Sequence, residues 1–91
     1  MSYKVELFAE AKSQIAAHEK SGNLPLVRKL ERLLEELREH PYTGTGKPER
    51  LSMNLSGYWS RRINREHRLV YAVNDQTVTV NVIAAAGHYE L

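Results

Sequence analysis

The sequence has 91 residues with a hydrophobic share of 42% and a net charge of +2, which fits one ordinary globular domain. The absence of cysteine excludes disulfide bonds and thiolate metal sites. No apolar run is long enough to span a membrane, and the N-terminus lacks the apolar segment of a signal peptide. We therefore expect a single cytoplasmic domain over residues 1–91, with no membrane partner.

Two helices are predicted in the first half of the chain, after a short alternating strand over Tyr3–Leu7. From Phe8 to His18, apolar residues recur every three to four positions, as on one helical face. Ser21-Gly22 should end this helix. Asn23 can cap a second helix, whose apolar stripe is formed by Leu26, Leu30, Leu33, Leu34 and Leu37.

The second half reads as strands joined by turns. Alternation over Tyr58–Ile63, His67–Val73 and Thr77–Ile83 predicts three strands, and His88–Leu91 predicts a last short strand or tail. Strands joined by tight turns pair in antiparallel fashion. Because the helices come early and together, they should pack on one face of the sheet, which gives an α+β domain.

The middle of the chain concentrates the positive charge. Residues 43–71 carry six cations against two carboxylates, whereas residues 1–42 balance to zero. Tyr58, Trp59 and Tyr71 interleave these cations, and cations beside aromatic rings are typical of surfaces that bind single-stranded RNA. Trp59 itself is more simply explained as a core anchor. The predicted RNA-binding residues are Lys47, Arg50, Arg61 and Arg65.

A second set of residues has the chemistry needed to cleave a phosphodiester. Glu49 lies among cations that favour its ionised form, as a general base requires. Arg62 and Arg68 fall on adjacent predicted strands, and like charges that face each other there favour a bridging anion such as phosphate. His88 is a candidate general acid near neutral pH. Tyr89 adds a ring that would stack on or orient the substrate.

Together these groups describe a metal-free ribonuclease, in which the substrate's own 2′-hydroxyl is the nucleophile. The histidines and acids show no metal-ligand spacing, so we expect no metal and no other cofactor. Each residue also has an ordinary explanation: Glu49 as a solvated partner of Arg50, and the arginines as a charged edge strand. From the residues alone, general nucleic-acid binding is favoured over catalysis.

The stretch from Gly46 to Val73, GKPERLSMNLSGYWSRRINREHRLVYAV, resembles the signature block of the Txe/YoeB toxins of the RelE superfamily. Those proteins carry G-K-P-E, then N-L-S-G, an aromatic residue, W-S-R-R-I, two residues and E-H-R-L-V-Y, and they end in His-Tyr. Here His88-Tyr89 matches that ending, with Glu90 and Leu91 after it. The resemblance implies the RelE-like microbial ribonuclease fold, with two N-terminal helices packed on an antiparallel β-sheet.

The resemblance also implies a function: the toxin of a type II toxin–antitoxin module, a metal-free endoribonuclease that cleaves mRNA in the ribosomal A site. Glu49 would be the general base and His88 the general acid. Arg68 would stabilise the transition-state phosphate, Arg62 would hold the RNA backbone and Tyr89 would orient the scissile nucleotides.

The partners implied by the resemblance are the ribosome, mRNA and a separate antitoxin protein, whose disordered C-terminal segment would fold onto the toxin. Homodimers are implied as well, since family members can pair. Two alternatives stay open. Some relatives of the same fold inhibit DNA gyrase by protein–protein contact, and a plain RNA-binding module would bind without cleaving.

Overall fold

The structure is a computed structural model, and it describes residues 2–87. Within these residues there are two helices and five strands in the order β1 (Lys4–Leu7), α1 (Ala9–Lys20), α2 (Leu24–Leu37), β2 (Glu49–Arg50), β3 (Trp59–Arg62), β4 (Arg68–Asn74) and β5 (Thr79–Ala84), with a 3₁₀ turn at Met53–Leu55 between β2 and β3. The strand order in the sheet is β1-β5-β4-β3-β2.

Both predicted helices are confirmed. In α2, the Asn23 side chain accepts a hydrogen bond of 3.2 Å from the Leu26 amide, as an N-cap residue does, and Pro25 fits the first turn. The leucine stripe faces inward: Leu34 is half-buried, and the other four leucines are almost completely buried. Helix α1 ends at Lys20, and Gly22 follows with a φ of +76°.

The three predicted strands of the second half are also present, and β3, β4 and β5 pair in antiparallel fashion. The last of them begins later than predicted, at Thr79, because Val78 has a left-handed φ of +52° in the preceding turn. The two-residue strand β2, which pairs with β3, was not predicted. The predicted strand at residues 88–91 lies outside the described residues.

The expectation of an antiparallel sheet is wrong for β1, which runs parallel to β5, with Val5 opposite Val80. No tight turn dictates the direction of β1, because both helices separate it from the rest of the sheet. The sheet is therefore mixed, while the α+β class is confirmed.

The core lies between the helices and one face of the sheet. That face presents Ile63, Leu69, Tyr71, Val80 and Val82, all of them buried against the helical leucines. Half-buried Trp59 packs against the same cluster, as predicted for a core anchor. By the alternation of strand side chains, the opposite face carries the intervening residues, among them the buried Ser60 and Val70 and the paired Arg62 and Arg68.

Candidate active site

Three neighbouring strands bring one carboxylate and two arginines together on the sheet face away from the helices. On β2, Glu49 pairs with Ser60 of β3, and two positions further along β3 Arg62 pairs directly with Arg68 of β4. The Glu49 Oε1 and Arg68 Nη1 atoms are 3.8 Å apart. The structure thus places three of the predicted catalytic residues within reach of one another.

The electrostatics of this cluster favour an added anion. Arg62 and Arg68 occupy directly opposed positions, where two like charges destabilise a sheet. The Glu49 side chain is 61% exposed and that of Arg68 is 22% exposed, so their long ion pair contributes little to stability. A phosphate between the two guanidinium groups would satisfy both cations and still leave the carboxylate open to a substrate hydroxyl.

The loop before Glu49 is fixed directly to β3. The Arg62 amide donates a hydrogen bond of 2.7 Å to the Gly46 carbonyl. Gly46 has a φ of +86°, and a Cβ atom there would lie 2.8 Å from the Arg62 carbonyl oxygen and 3.2 Å from the Arg61 Cβ. Only glycine fits this close approach. The glycine of the G-K-P-E motif therefore brings the carboxylate three residues later to the sheet edge.

The prediction that Arg61 binds RNA is wrong. Its side chain is completely buried, on the face of β3 that also carries Trp59 and Ile63. It donates hydrogen bonds to the Tyr71 hydroxyl at 3.1 Å and to Glu36 Oε1 at 3.1 Å. Its other acceptors are the backbone carbonyls of His40, Thr43 and Thr45. A side chain with this environment cannot contact RNA, and its role is to hold the loop over residues 40–45.

Glu36 of α2 completes this buried arrangement. Burial alone would raise its pKa, but hydrogen bonds from Thr45 and the nearby Arg61 guanidinium outweigh burial and lower the pKa below its ordinary value. The Thr45 amide donates to the same carboxylate oxygen at 2.8 Å. One ion pair therefore ties α2, β3 and the loop that leads to Glu49.

The other predicted RNA-binding cations are exposed but do not share one face. The Arg50 guanidinium lies 5.6 Å from the centre of the Trp59 ring, and the Tyr42 ring packs against that ring at 5.2 Å. Since neighbouring strand residues point to opposite faces, Arg50 lies on the side away from Glu49. Lys47 and Arg65 lie at the surface in the loops that flank β2 and β4.

The structure also contains a tyrosine–aspartate cluster near β1 that was not predicted from the sequence. The hydroxyls of Tyr3 and Tyr42 each donate a hydrogen bond of 2.6 Å to the Asp75 carboxylate. These bonds lower the pKa of Asp75, and they raise that of Tyr42 to about 12. The three residues are far apart in sequence, so no local pattern indicates their contact.

The last described residue lies beside the arginine pair. The Arg68 amide donates a hydrogen bond of 3.0 Å to the Gly87 carbonyl. His88 and Tyr89, the predicted acid and its neighbour, lie outside the described residues. Within residues 2–87, no group of three or more His, Asp and Glu side chains is arranged to hold a metal ion. Neither helix in the described part of the chain has the length and apolar character to cross a membrane.

Two helices on one face of a five-stranded sheet, with a carboxylate and paired arginines on the other, define a small α+β domain of the RelE-like type. The family model for the YoeB-like toxin of bacterial type II toxin-antitoxin system matches residues 14–89. The chain therefore belongs to the YoeB family of type II toxins.

Individual relatives agree with this assignment. The chain is 50% identical to toxin YoeB of Escherichia coli K12 over 64 residues, which is 70% of this chain and 74% of that protein. It matches the solved YoeB–YefM complex from Staphylococcus aureus with a TM-score of 0.77 and 36% identity, covering 98% of this chain and 100% of the other. A YoeB dimer from the same organism gives a TM-score of 0.79 at 34% identity, with the same coverage.

Proposed function

We propose that this toxin is a ribosome-dependent endoribonuclease that acts in the cytoplasm and cleaves mRNA in the A site without a metal cofactor. The observation that carries the proposal is the Glu49 carboxylate 3.8 Å from the Arg68 guanidinium, with Arg62 directly opposite Arg68. A base next to paired phosphate-binding cations is what in-line attack by a 2′-hydroxyl requires. Membership of a toxin family supports the biological setting.

The proposed reaction proceeds in one displacement. Glu49 accepts the proton of the 2′-hydroxyl, and the O2′–P bond forms as the P–O5′ bond breaks. His88 donates a proton to the departing 5′-oxygen, so that the products are a 2′,3′-cyclic phosphate and a 5′-hydroxyl end. Arg68 neutralises the charge that builds on the phosphorane. Arg62, on the exposed side, holds the RNA backbone while Tyr89 orients the scissile nucleotides.

The exposures of these groups agree with their proposed roles. The Glu49 side chain is more exposed than that of Arg68, so a substrate hydroxyl reaches it without any rearrangement of the sheet. Arg68 is largely shielded, and a shielded guanidinium interacts more strongly with a developing charge than one in open water. The ribosome would supply the orientation of mRNA that a small open face cannot supply alone.

The proposed protein partner is a cognate antitoxin, because the S. aureus relative was solved as a YoeB–YefM complex. The S. aureus YoeB dimer supports self-association as a second assembly. An antitoxin that blocks the toxin would have to cover the open sheet face around Glu49 and Arg68. Inhibition of cleavage by a co-expressed antitoxin, with recovery after its proteolysis, would test this.

The proposed activity is tested by mapping mRNA 5′-hydroxyl ends in a reconstituted translation system. Glu49→Gln and Arg68→Ala should each reduce cleavage on the order of 10²-fold or more, the usual cost of losing a base or an oxyanion donor. Arg68→Lys should recover only part of the rate, because an ammonium lacks the two-pronged geometry. Glu31→Gln and Arg28→Ala, exposed on α2, are matched controls expected to cleave normally.

Expression of the toxin in cells without an antitoxin, followed by the same mapping of mRNA ends, separates the alternatives. If growth arrest comes with gyrase-dependent DNA breaks and intact mRNA, the ribonuclease proposal is wrong and gyrase is the target. If the purified toxin binds RNA but leaves ribosome-bound mRNA uncut, it is an RNA-binding module. Full cleavage by a folded Arg68→Ala protein would refute the assignment of Arg68.

A further inference from the structure

We propose that His67 is a positioning residue for catalysis: it accepts a hydrogen bond from the Gly87 amide and so holds the backbone of the residue that immediately precedes His88. This inference rests on the proposed function, in which His88 is the general acid. His67 itself has no role in the proposed reaction described above. The structural support comes from the segment Ala85–Gly87, which side chains from two other elements hold in place.

The first anchor of this segment comes from α1. The Ala85 amide donates a hydrogen bond of 2.6 Å to the Gln14 side-chain oxygen. The Ala85 carbonyl faces the Nε2 atom of His18 at 2.8 Å. Ala85 is completely buried and His18 is only 7% exposed. Both polar groups of the Ala85 backbone are therefore satisfied by helix side chains at the end of β5.

The second anchor is at the start of β4. The Gly87 amide donates a hydrogen bond of 3.0 Å to the Nδ1 atom of His67, and the Gly87 carbonyl accepts one of 3.0 Å from the Arg68 amide. Gly87 has a φ of +73°, so the chain turns sharply at this point. The backbone next to the proposed acid is thus tied to the residue that carries the proposed phosphate-binding guanidinium.

The hydrogen-bond partners assign the role of one ring nitrogen in each of the two imidazoles. Because the Gly87 N–H can only donate, Nδ1 of His67 must carry a lone pair. Because the Ala85 carbonyl can only accept, Nε2 of His18 must carry a proton. The two rings meet edge to face with their centres 4.7 Å apart. The buried His18 ring therefore sets the orientation of the His67 ring, and His67 in turn holds Gly87.

This arrangement predicts which substitutions restore function. Asparagine places its carbonyl oxygen one bond beyond Cγ, where histidine has Nδ1, and so can accept the Gly87 hydrogen bond. Glutamine places its oxygen one bond too far, where histidine has Nε2. Neither amide can act as a general acid. Rescue by His67→Asn but not by His67→Gln would therefore separate positioning of the tail from direct proton donation by His67.

The test uses the full chain in single-turnover cleavage of mRNA on programmed ribosomes. His67→Ala should lower the maximal rate by about 10–10²-fold, since a shift of about 1 Å in a reacting group has a cost of that order. The toxin concentration at half-maximal rate should stay within about twofold. His67→Asn should return the rate to near wild type, and His67→Gln should behave like His67→Ala.

Exchange of the Gly87 amide hydrogen, measured by NMR without ribosomes, tests the anchor independently of activity. Protection should be present in the wild type and in His67→Asn, and lost in His67→Ala and His67→Gln. An unprotected Gly87 amide in the wild type would overturn the inference. So would equal rates for the Asn and Gln variants, or a loss confined to ribosome affinity. If protection follows the expected pattern but wild-type toxin does not cut mRNA, the proposed function fails while the anchor itself stands.

Discussion

Replacing Arg61 with alanine should destabilise the domain by about 3–5 kcal/mol, the usual cost of removing one partner from a buried ion pair. The guanidinium is fully buried and contacts Glu36, Tyr71 and the carbonyls of residues 40, 43 and 45. A domain of this length has a total stability of roughly 5–14 kcal/mol. The variant would therefore lose a large share of what keeps it folded.

The acceptors that lose their hydrogen bond from Arg61 do not all reduce the stability of the variant equally. Tyr71 keeps its own hydrogen bond of 2.8 Å to the Pro41 carbonyl, and the loop carbonyls can turn toward water. Glu36 is the partner whose loss of Arg61 costs most, because its carboxylate is only 24% exposed and would keep the hydrogen bonds from Thr45 but no longer have the compensating positive charge. Lysine in place of Arg61 would restore the charge but has three donors where five N–H groups now act, so we expect partial recovery.

Urea unfolding followed by circular dichroism measures this loss. The control is Arg62→Ala, the same residue type one position along the same strand but exposed, where a change within about 0.5 kcal/mol is expected. Removal of Arg62 also relieves the charge that faces Arg68, so any shift should be toward stability. A loss below about 1 kcal/mol for Arg61→Ala, or one equal to that of Arg62→Ala, would refute the reasoning.

Two further predictions concern the loop and the tyrosine cluster. Gly46→Ala should lower the melting temperature and slow mRNA cleavage, because the added Cβ would lie 2.8 Å from the Arg62 carbonyl oxygen. A thermal melt and a cleavage assay measure the two effects. A variant with unchanged melting temperature and cleavage rate would contradict the close packing of this loop. The Asp75 hydrogen bond raises the pKa of Tyr42 from 10.0 to about 12, so its contribution to stability should be complete below pH 10 and lost as the pH rises through 12. Urea unfolding between pH 9 and 12 should show a decline that is smaller in Tyr42→Phe, and equal declines would contradict this assignment.

The elements with strong local patterns were predictable from the sequence. The leucine spacing of α2 and its Asn23 cap are both signals within one segment, and they are confirmed. The parallel partner of β1 was not predictable, because Val5 and Val80 are brought together only by the folded chain. Strand β2 is too short, at two residues, to show any periodicity.

Arg61 shows where a correct pattern led to a wrong role. The alternation along β3 placed it on the same face as Trp59 and Ile63, and that face is the core. Arginine is rarely buried without a partner, so the residue type favoured the surface. Its carboxylate partner lies 25 positions earlier, on α2, and its carbonyl acceptors lie in a loop with no regular pattern. These partners of Arg61 could therefore be identified only from the folded structure.

The two adjacent arginines of β3, Arg61 and Arg62, therefore have different roles. Arg61 points into the core and holds the loop that ends at Glu49, while Arg62 points outward beside Arg68. The charge available to a polyanion is smaller than the sequence indicates: residues 43–71 carry six cations against two carboxylates, but five against two once the buried Arg61 is set aside. A strand with period two can place a structural and a binding guanidinium in consecutive positions without their competing for space. The proposed catalytic face thus depends on the core through neighbouring residues, so a substitution that weakens the Arg61 contacts should misplace Glu49 before it unfolds the sheet.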